Sequence, residues 1–177
     1  MRRYFICDQD EIKSKLSSLV LKRSDESGWM HYYYDSTSNE AWVLTQFNSE
    51  YHGGGSPVLK RLPELKCEDL IELAMTSLDL NDVIGASKEL AEREQNDKED
   101  FRDRLITRML QTDVVNSSSA ERDRLRIIIS KTNLLDPMNR RNIVGKRFNE
   151  IKEDSEYYQH LAFKAKDLLD DMEKYSS

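Results

Sequence analysis

The sequence predicts an α+β protein: a small antiparallel sheet and hairpin unit over residues 1–63, followed by a helical bundle of antiparallel helices over residues 64–177. The two parts can also close as one continuous compact domain. Three observations carry this reading. Seven of the fifteen aromatic residues lie between Trp29 and Tyr51, and aromatic-rich runs bounded by polar turns favour strands. Three of the six glycines stand together as Gly53-Gly54-Gly55, directly after one such run. From Cys67 onwards the apolar residues recur at three- and four-residue steps, the period of an amphipathic helix.

Taken in order, Arg3–Cys7 predicts a short first strand. Asp8, followed three residues later by Glu11, has the form of a capping box and opens a helix whose apolar face is Ile12, Leu16, Leu19 and Val20. Ser24-Asp25-Glu26-Ser27-Gly28 breaks the chain before the aromatic strand Trp29–Asp35. Ser36–Asn39 has the length and polarity of a hairpin turn, and Ala41–Phe47 is the returning strand. In Gly53-Gly54-Gly55-Ser56-Pro57 glycine reaches positive φ without a Cβ penalty, and the proline stiffens the exit. At least one of the three glycines is therefore expected at positive φ. Val58-Leu59 suits a short further strand.

The helical part begins with Leu70, Leu73, Ala74 and Leu78 on one stripe. Asn81 or Asp82 then caps a helix burying Val83, Ile84, Leu90 and Ala91, and Asn96 or Asp97 starts one burying Phe101, Leu105, Ile106 and Met109. Ser117-Ser118-Ser119 can cap the helix of Leu125, Ile128 and Ile129. Asp136-Pro137 reads as another helix start, with Val144, Phe148 and Ile151 following. A last helix from about Ser155 turns Tyr158, Leu161, Ala162, Ala165, Leu168, Leu169 and Met172 inward. Short polar breaks make successive helices antiparallel neighbours.

Charge is unevenly placed on a chain of 177 residues and net charge -6: residues 64–100 carry 12 acidic against 4 basic side chains, residues 101–152 carry 12 basic against 6 acidic. A net acidic chain is a poor general binder of nucleic acid, whereas an acidic face suits a basic protein. With 34% charged residues and no apolar run of bilayer length, the expectation is a cytoplasmic protein with no membrane association. Two cysteines and three histidines make neither a disulfide framework nor a zinc cluster, so no metal and no cofactor are expected.

Catalytic motifs are lacking too. His52-Gly53-Gly54-Gly55 invites comparison with the glycine-rich oxyanion loop of esterases, but that loop needs a G-x-S-x-G elbow, and Gly85-Ala86-Ser87-Lys88-Glu89 lacks the last glycine. No P-loop, H-E-x-x-H or dinucleotide fingerprint occurs, and the chain is expected not to be an enzyme. His52 beside Glu50 is a candidate imidazole–carboxylate pair. The more ordinary expectation is that it hydrogen-bonds its own loop. His31 is expected to be a structural or surface residue, and His160 to be structural.

The stretch Gly28-Trp29, Tyr34-Asp35, Trp42-Val43-Leu44 and Ser49-Glu50-Tyr51-His52-Gly53-Gly54-Gly55-Ser56-Pro57-Val58-Leu59 resembles the bacterial immunity protein 27 family, small cytoplasmic antidotes to polymorphic toxins. The resemblance covers about residues 28–62. The family's arginine and glutamate around the strand tryptophan are replaced here by Glu40 and Val43, and the G-G-x-P element is intact. What the resemblance implies is an immunity protein that neutralises a cognate protein toxin by direct contact. The candidate partner-binding residues are Trp29, Tyr34, Trp42, Glu50, His52, Gly53, Gly54, Gly55 and Pro57. Glu68, Asp69, Glu72, Asp79 and Asp82 are a possible acidic complement. Two other classes fit the residues: a helical scaffold or adaptor, and an anion or small-ligand module using Gly53–Gly55 as a nest of backbone N–H groups.

Overall fold

A computed structural model describes residues 3–47, 55–141 and 144–174. The fold class is α+β, an antiparallel sheet followed by helices. In chain order the elements are β1 (Phe5–Ile6), α1 (Gln9–Leu16), β2 (Val20–Ser24), β3 (His31–Asp35), β4 (Glu40–Phe47), β5 (Ser56–Leu62), α2 (Cys67–Thr76), α3 (Leu80–Asn96), α4 (Arg102–Leu110), α5 (Ser119–Lys131) and α6 (Phe148–Lys174). The chain divides into two compact units, Met1–Glu89 and Leu90–Ser177, with the division inside α3. The change of sequence pattern near residue 64 marks where strands give way to helices. Compactness groups α2 and the first half of α3 with the sheet.

In the first unit the sheet order is β1-β5-β4-β3-β2, antiparallel throughout. The aromatic hairpin forms as predicted, with Tyr33 opposite Trp42 and Asp35 opposite Glu40. Asn39, in the connecting turn, has φ of 58°, a left-handed conformation that asparagine tolerates better than most residues. Strand alternation then sorts the side chains. One face carries Ile6, Trp42, Leu44, Leu59 and Tyr33, and Ile12, Leu16 and Leu19 close over it. On the other, Phe5 meets Gly85 of α3, the Lys60 ammonium is 2.6 Å from Glu89, and Lys88 lies over the Phe47 ring. A Cβ at Gly85 would overlap Cβ and Cγ of Phe5. Gly85→Ala is expected to destabilise by about 1–3 kcal/mol through overpacking, although alanine is the better helix former by roughly 1 kcal/mol. Urea unfolding checks this, and an unchanged midpoint would mean that helix and strand do not touch.

Caps were legible. The Asp8 carboxylate accepts from the backbone N–H groups of Asp10 and Glu11, at 3.0 and 2.9 Å. Its expected partner in the box, Glu11, turns instead to Arg3. In this unit the first helix was read too long. The predicted first helix reached Val20, but α1 ends at Leu16, and Val20–Ser24 is a strand paired with β3. The hydroxyls of Ser17 and Ser18 bond the carbonyls of Ser14 and Lys15, at 2.7 and 2.8 Å, and close the last turn. β3 then supplies the ladder partners for a β-branched residue that sequence spacing alone assigned to the helix.

In the second unit α6 packs against α4 and α5. Phe101, Leu105, Ile106 and Met109, then Leu125, Ile128 and Ile129, then Tyr158, Leu161, Ala162, Ala165, Leu168 and Met172 are buried, as their spacing predicts. Ser118 and Glu121 form a reciprocal capping box on α5. The helix expected from Asp136-Pro137 is absent among the described residues. Asp136 caps a turn, accepting from Met138 N–H at 3.0 Å and from Arg140 Nε at 2.7 Å. Its carbonyl is held by Arg102 Nη1 at 2.7 Å. Val144, Phe148 and Ile151 are all exposed; Val144 lies outside any helix, whereas Phe148 and Ile151 form the first turn of α6, which begins at Phe148 rather than near Ser155.

Candidate functional site

The expected contact residues divide between surface and core. Trp29, just before β3, is 50% exposed. Tyr34 is half-buried, and its hydroxyl bonds Asn39 across the turn. Trp42 is 2% exposed and belongs to the sheet core with Ile6, Ile12 and Leu59. Gly55 is exposed with φ of 76°, a left-handed conformation that costs other residues about 1–2 kcal/mol, and it meets the expectation of a positive φ in the triplet. Pro57 lies opposite Gln46, beyond the two residues that β1 pairs, where a missing N–H is tolerated. Glu50, His52, Gly53 and Gly54 lie outside the described residues.

What the structure brings together is the outer end of the sheet. All five residues of β2 are exposed. Val20, Leu21, Trp29 and Met30 are large apolar residues left open to water at this end. Register places Val20 opposite Tyr34 and Arg23 opposite Tyr32. The Arg23 guanidinium lies 3.7 Å from the Tyr32 ring centroid and the Lys22 ammonium 5.3 Å from that of Tyr34, both within cation–π range. The connection is fixed by Asp25, whose carboxylate accepts from Met30 N–H at 2.8 Å. The Ser27 hydroxyl, Met30 N–H and neighbouring backbone donors hold Asp25 below the usual carboxylate range. His31 is tied to Ser24 across the pair at 2.7 Å, in keeping with a structural role. Helical spacing at Leu16, Leu19 and Val20 concealed β2. The turn signal after Ser24 was the cue that a strand precedes it.

On the α1 side of the sheet is a cleft of about 750 Å³ lined by Arg3, Glu11, Ser14, Lys15, Glu40 and Trp42 among others. Its charges are matched internally. Arg3 pairs with Glu11 and Asp79, Lys15 with Asp35 at 2.6 Å, and Glu40 with Arg61 at 3.2 Å. The Trp42 Nε1–H is buried without a protein acceptor among the described residues. Chemically the cleft offers paired charges and hydroxyls, and neither histidine nor cysteine is among its lining residues.

Asp35 anchors both the hairpin turn and α1. Its carboxylate accepts from Lys15 Nζ at 2.6 Å, Thr37 N–H at 2.9 Å and Ser38 N–H at 3.2 Å. Lys15 first, then these backbone donors, hold it well below the usual carboxylate range. A depressed folded-state pKa adds stability above the unfolded value of about 4 and loses it as pH falls. Asp35→Asn should therefore melt lower than the native chain near neutral pH, and the gap should narrow below about pH 4. Thermal melts across that range check the sign, and a gap that widens on acidification would contradict it.

The acidic complement is only partly available. Asp82 is buried, accepting from Tyr4 and Phe5 N–H at 2.7 and 2.9 Å, and burial raises its pKa. Asp79 pairs with Arg3. Glu68, Asp69 and Glu72 are exposed on α2. Both cysteines are free thiols, and burial pushes Cys7 up to about 11. Among the described residues no cluster of three or more potential ligands could hold a metal ion, and no helix is long and apolar enough to cross a membrane. No family model, no curated protein and no solved structure matches the chain.

Proposed function

We propose that this chain is a bacterial immunity protein: a cytoplasmic, non-enzymatic antidote that binds a cognate polymorphic toxin and blocks it by direct contact. The motif of residues 28–62 supports the role. The observation that carries a contact mechanism is the edge strand β2 and its connection to β3, where Val20, Leu21, Trp29 and Met30 are exposed beside half-buried Tyr32 and Tyr34. Exposed apolar residues scattered singly mean little, but several along one free strand and its turn, with aromatic residues beside them, suit a protein contact. The burial of Trp42 redirects the contact from that residue towards Trp29 and the tyrosines.

The test is co-expression with the toxin domain encoded beside this gene, reading cell survival and recovery of a complex. Rescue is expected from the native chain and is expected to weaken with Trp29→Ala in a folded variant. No adjacent toxin gene, or no rescue, would sink the immunity reading. A second reading, a helical adaptor, draws on the exposed Val144, Phe148 and Ile151 of the second unit. Rescue that fails while those residues capture a partner would favour it.

A further inference from the structure

We infer that β2 is a docking edge for an extended acidic segment of a partner protein, which adds to the sheet as a sixth strand. The inference rests on the contact-binding reading for its biological meaning, and it names the surface and the chemistry of what binds. β2 ends the sheet, and among the described residues β3 is its only strand partner. The other edge of a terminal strand presents a row of backbone N–H and C=O groups that can template a further strand.

The side chains decide which strand. Lys22 and Arg23 lie over Tyr34 and Tyr32, and neither has a carboxylate partner among the described residues. Val20 and Leu21 precede them in the strand, projecting to opposite faces of the sheet by the register, and Trp29 and Met30 are exposed just before β3. A partner strand with carboxylates opposite Lys22 and Arg23 and apolar side chains around them would complement both features.

Charge also rejects the two rival occupants. A second copy pairing antiparallel through β2 would set Lys22 and Arg23 against their own counterparts, and like charges directly opposed are destabilising. Nucleic acid would meet Asp25 and Glu26 in the adjoining turn and a chain of net charge -6. Basic residues and the irregular register between Leu21 and Arg23 are also how edge strands avoid casual pairing. Repelling copies of itself while accepting an oppositely charged strand is selectivity obtained from the same two side chains.

The probe is a capped heptapeptide alternating glutamate and valine, titrated into the full chain and followed by backbone amide NMR. A lysine–valine counterpart and a deoxythymidine decamer serve as controls. The acidic peptide is expected to shift amides of residues 20–24 and 29–34, and the lysine peptide to bind at least about tenfold more weakly. The double variant Lys22→Glu with Arg23→Glu, its fold verified by unchanged shifts elsewhere, is expected to reverse that order. No shift on β2, equal binding of both peptides, or tighter binding of the decamer would overturn the inference. So would shifts on β2 that depend on protein concentration alone, which would mark the edge as a self-association surface. No toxin enters this experiment. Failure of rescue with the acidic peptide still bound would remove the immunity reading and leave the docking edge standing.

Discussion

Arg102→Met is expected to destabilise the helical unit by about 3–5 kcal/mol, the cost of leaving one member of a buried ion pair without the other. Arg102 is 0% exposed. Its Nε and Nη2 donate to the two Glu94 oxygens at 2.7 and 2.8 Å, and Nη1 donates to the Asp136 carbonyl at 2.7 Å. The guanidinium lies 4.8 Å from the Tyr158 ring centroid, and the Tyr158 hydroxyl reaches Glu94 at 3.4 Å. Burial first, then the Glu94 charge, raises the Tyr158 pKa, which keeps the phenol a donor. Methionine fills the volume and supplies no charge, so Glu94 would lose its bidentate partner in the interior. The double variant Arg102→Met with Glu94→Leu removes both charges, and a large part of the loss should return. Urea denaturation of the native chain, both single variants and the double variant completes the cycle. A double variant as unstable as the sum of the singles would show that the two side chains act independently.

Trp42→Ala is expected to cost about 3–5 kcal/mol, as truncation of a buried tryptophan leaves a cavity that the surroundings fill only in part. The indole is packed among Ile6, Ile12 and Leu59, with the Lys15 ammonium 5.4 Å from its ring centroid. Because Nε1–H has no protein acceptor among the described residues, Trp42→Phe removes no bond to them and should cost only about 1–2 kcal/mol. Comparable losses for the two variants would show that Nε1–H does contribute a bond. Trp29→Ala, at a half-exposed site, should change stability by no more than about 0.5 kcal/mol. The comparison separates fold from function: lost rescue in Trp42→Ala reports unfolding, whereas lost rescue in Trp29→Ala reports contact.

Of the candidate site, the aromatic hairpin and the positive φ of Gly55 were legible, because strand propensity and glycine geometry are local. The distinction between Trp29 and Trp42 was not. Both are strand-associated tryptophans in the sequence, and only the packing of α1 over one face of the sheet buries Trp42 and leaves Trp29 open. Asp82 was read as surface acid for the same reason. Its carboxylate is engaged by the N–H groups of Tyr4 and Phe5, 78 and 77 residues away in the chain.

The sequence by itself determined the α+β order, the hairpin with its turn at residues 36–39, the caps at Asp8 and Ser118, and the inward stripes of α4, α5 and α6. Each of these follows from interactions within a few residues, through backbone propensity, capping bonds and helical or strand period. Only the tertiary structure decided that Val20–Ser24 is a strand and that Asp136 caps a turn. β3 pairs with the first, and Arg102 holds the carbonyl of the second. In both places the local signal was compatible with two conformations, and a hydrogen-bond partner distant in sequence selected one of them.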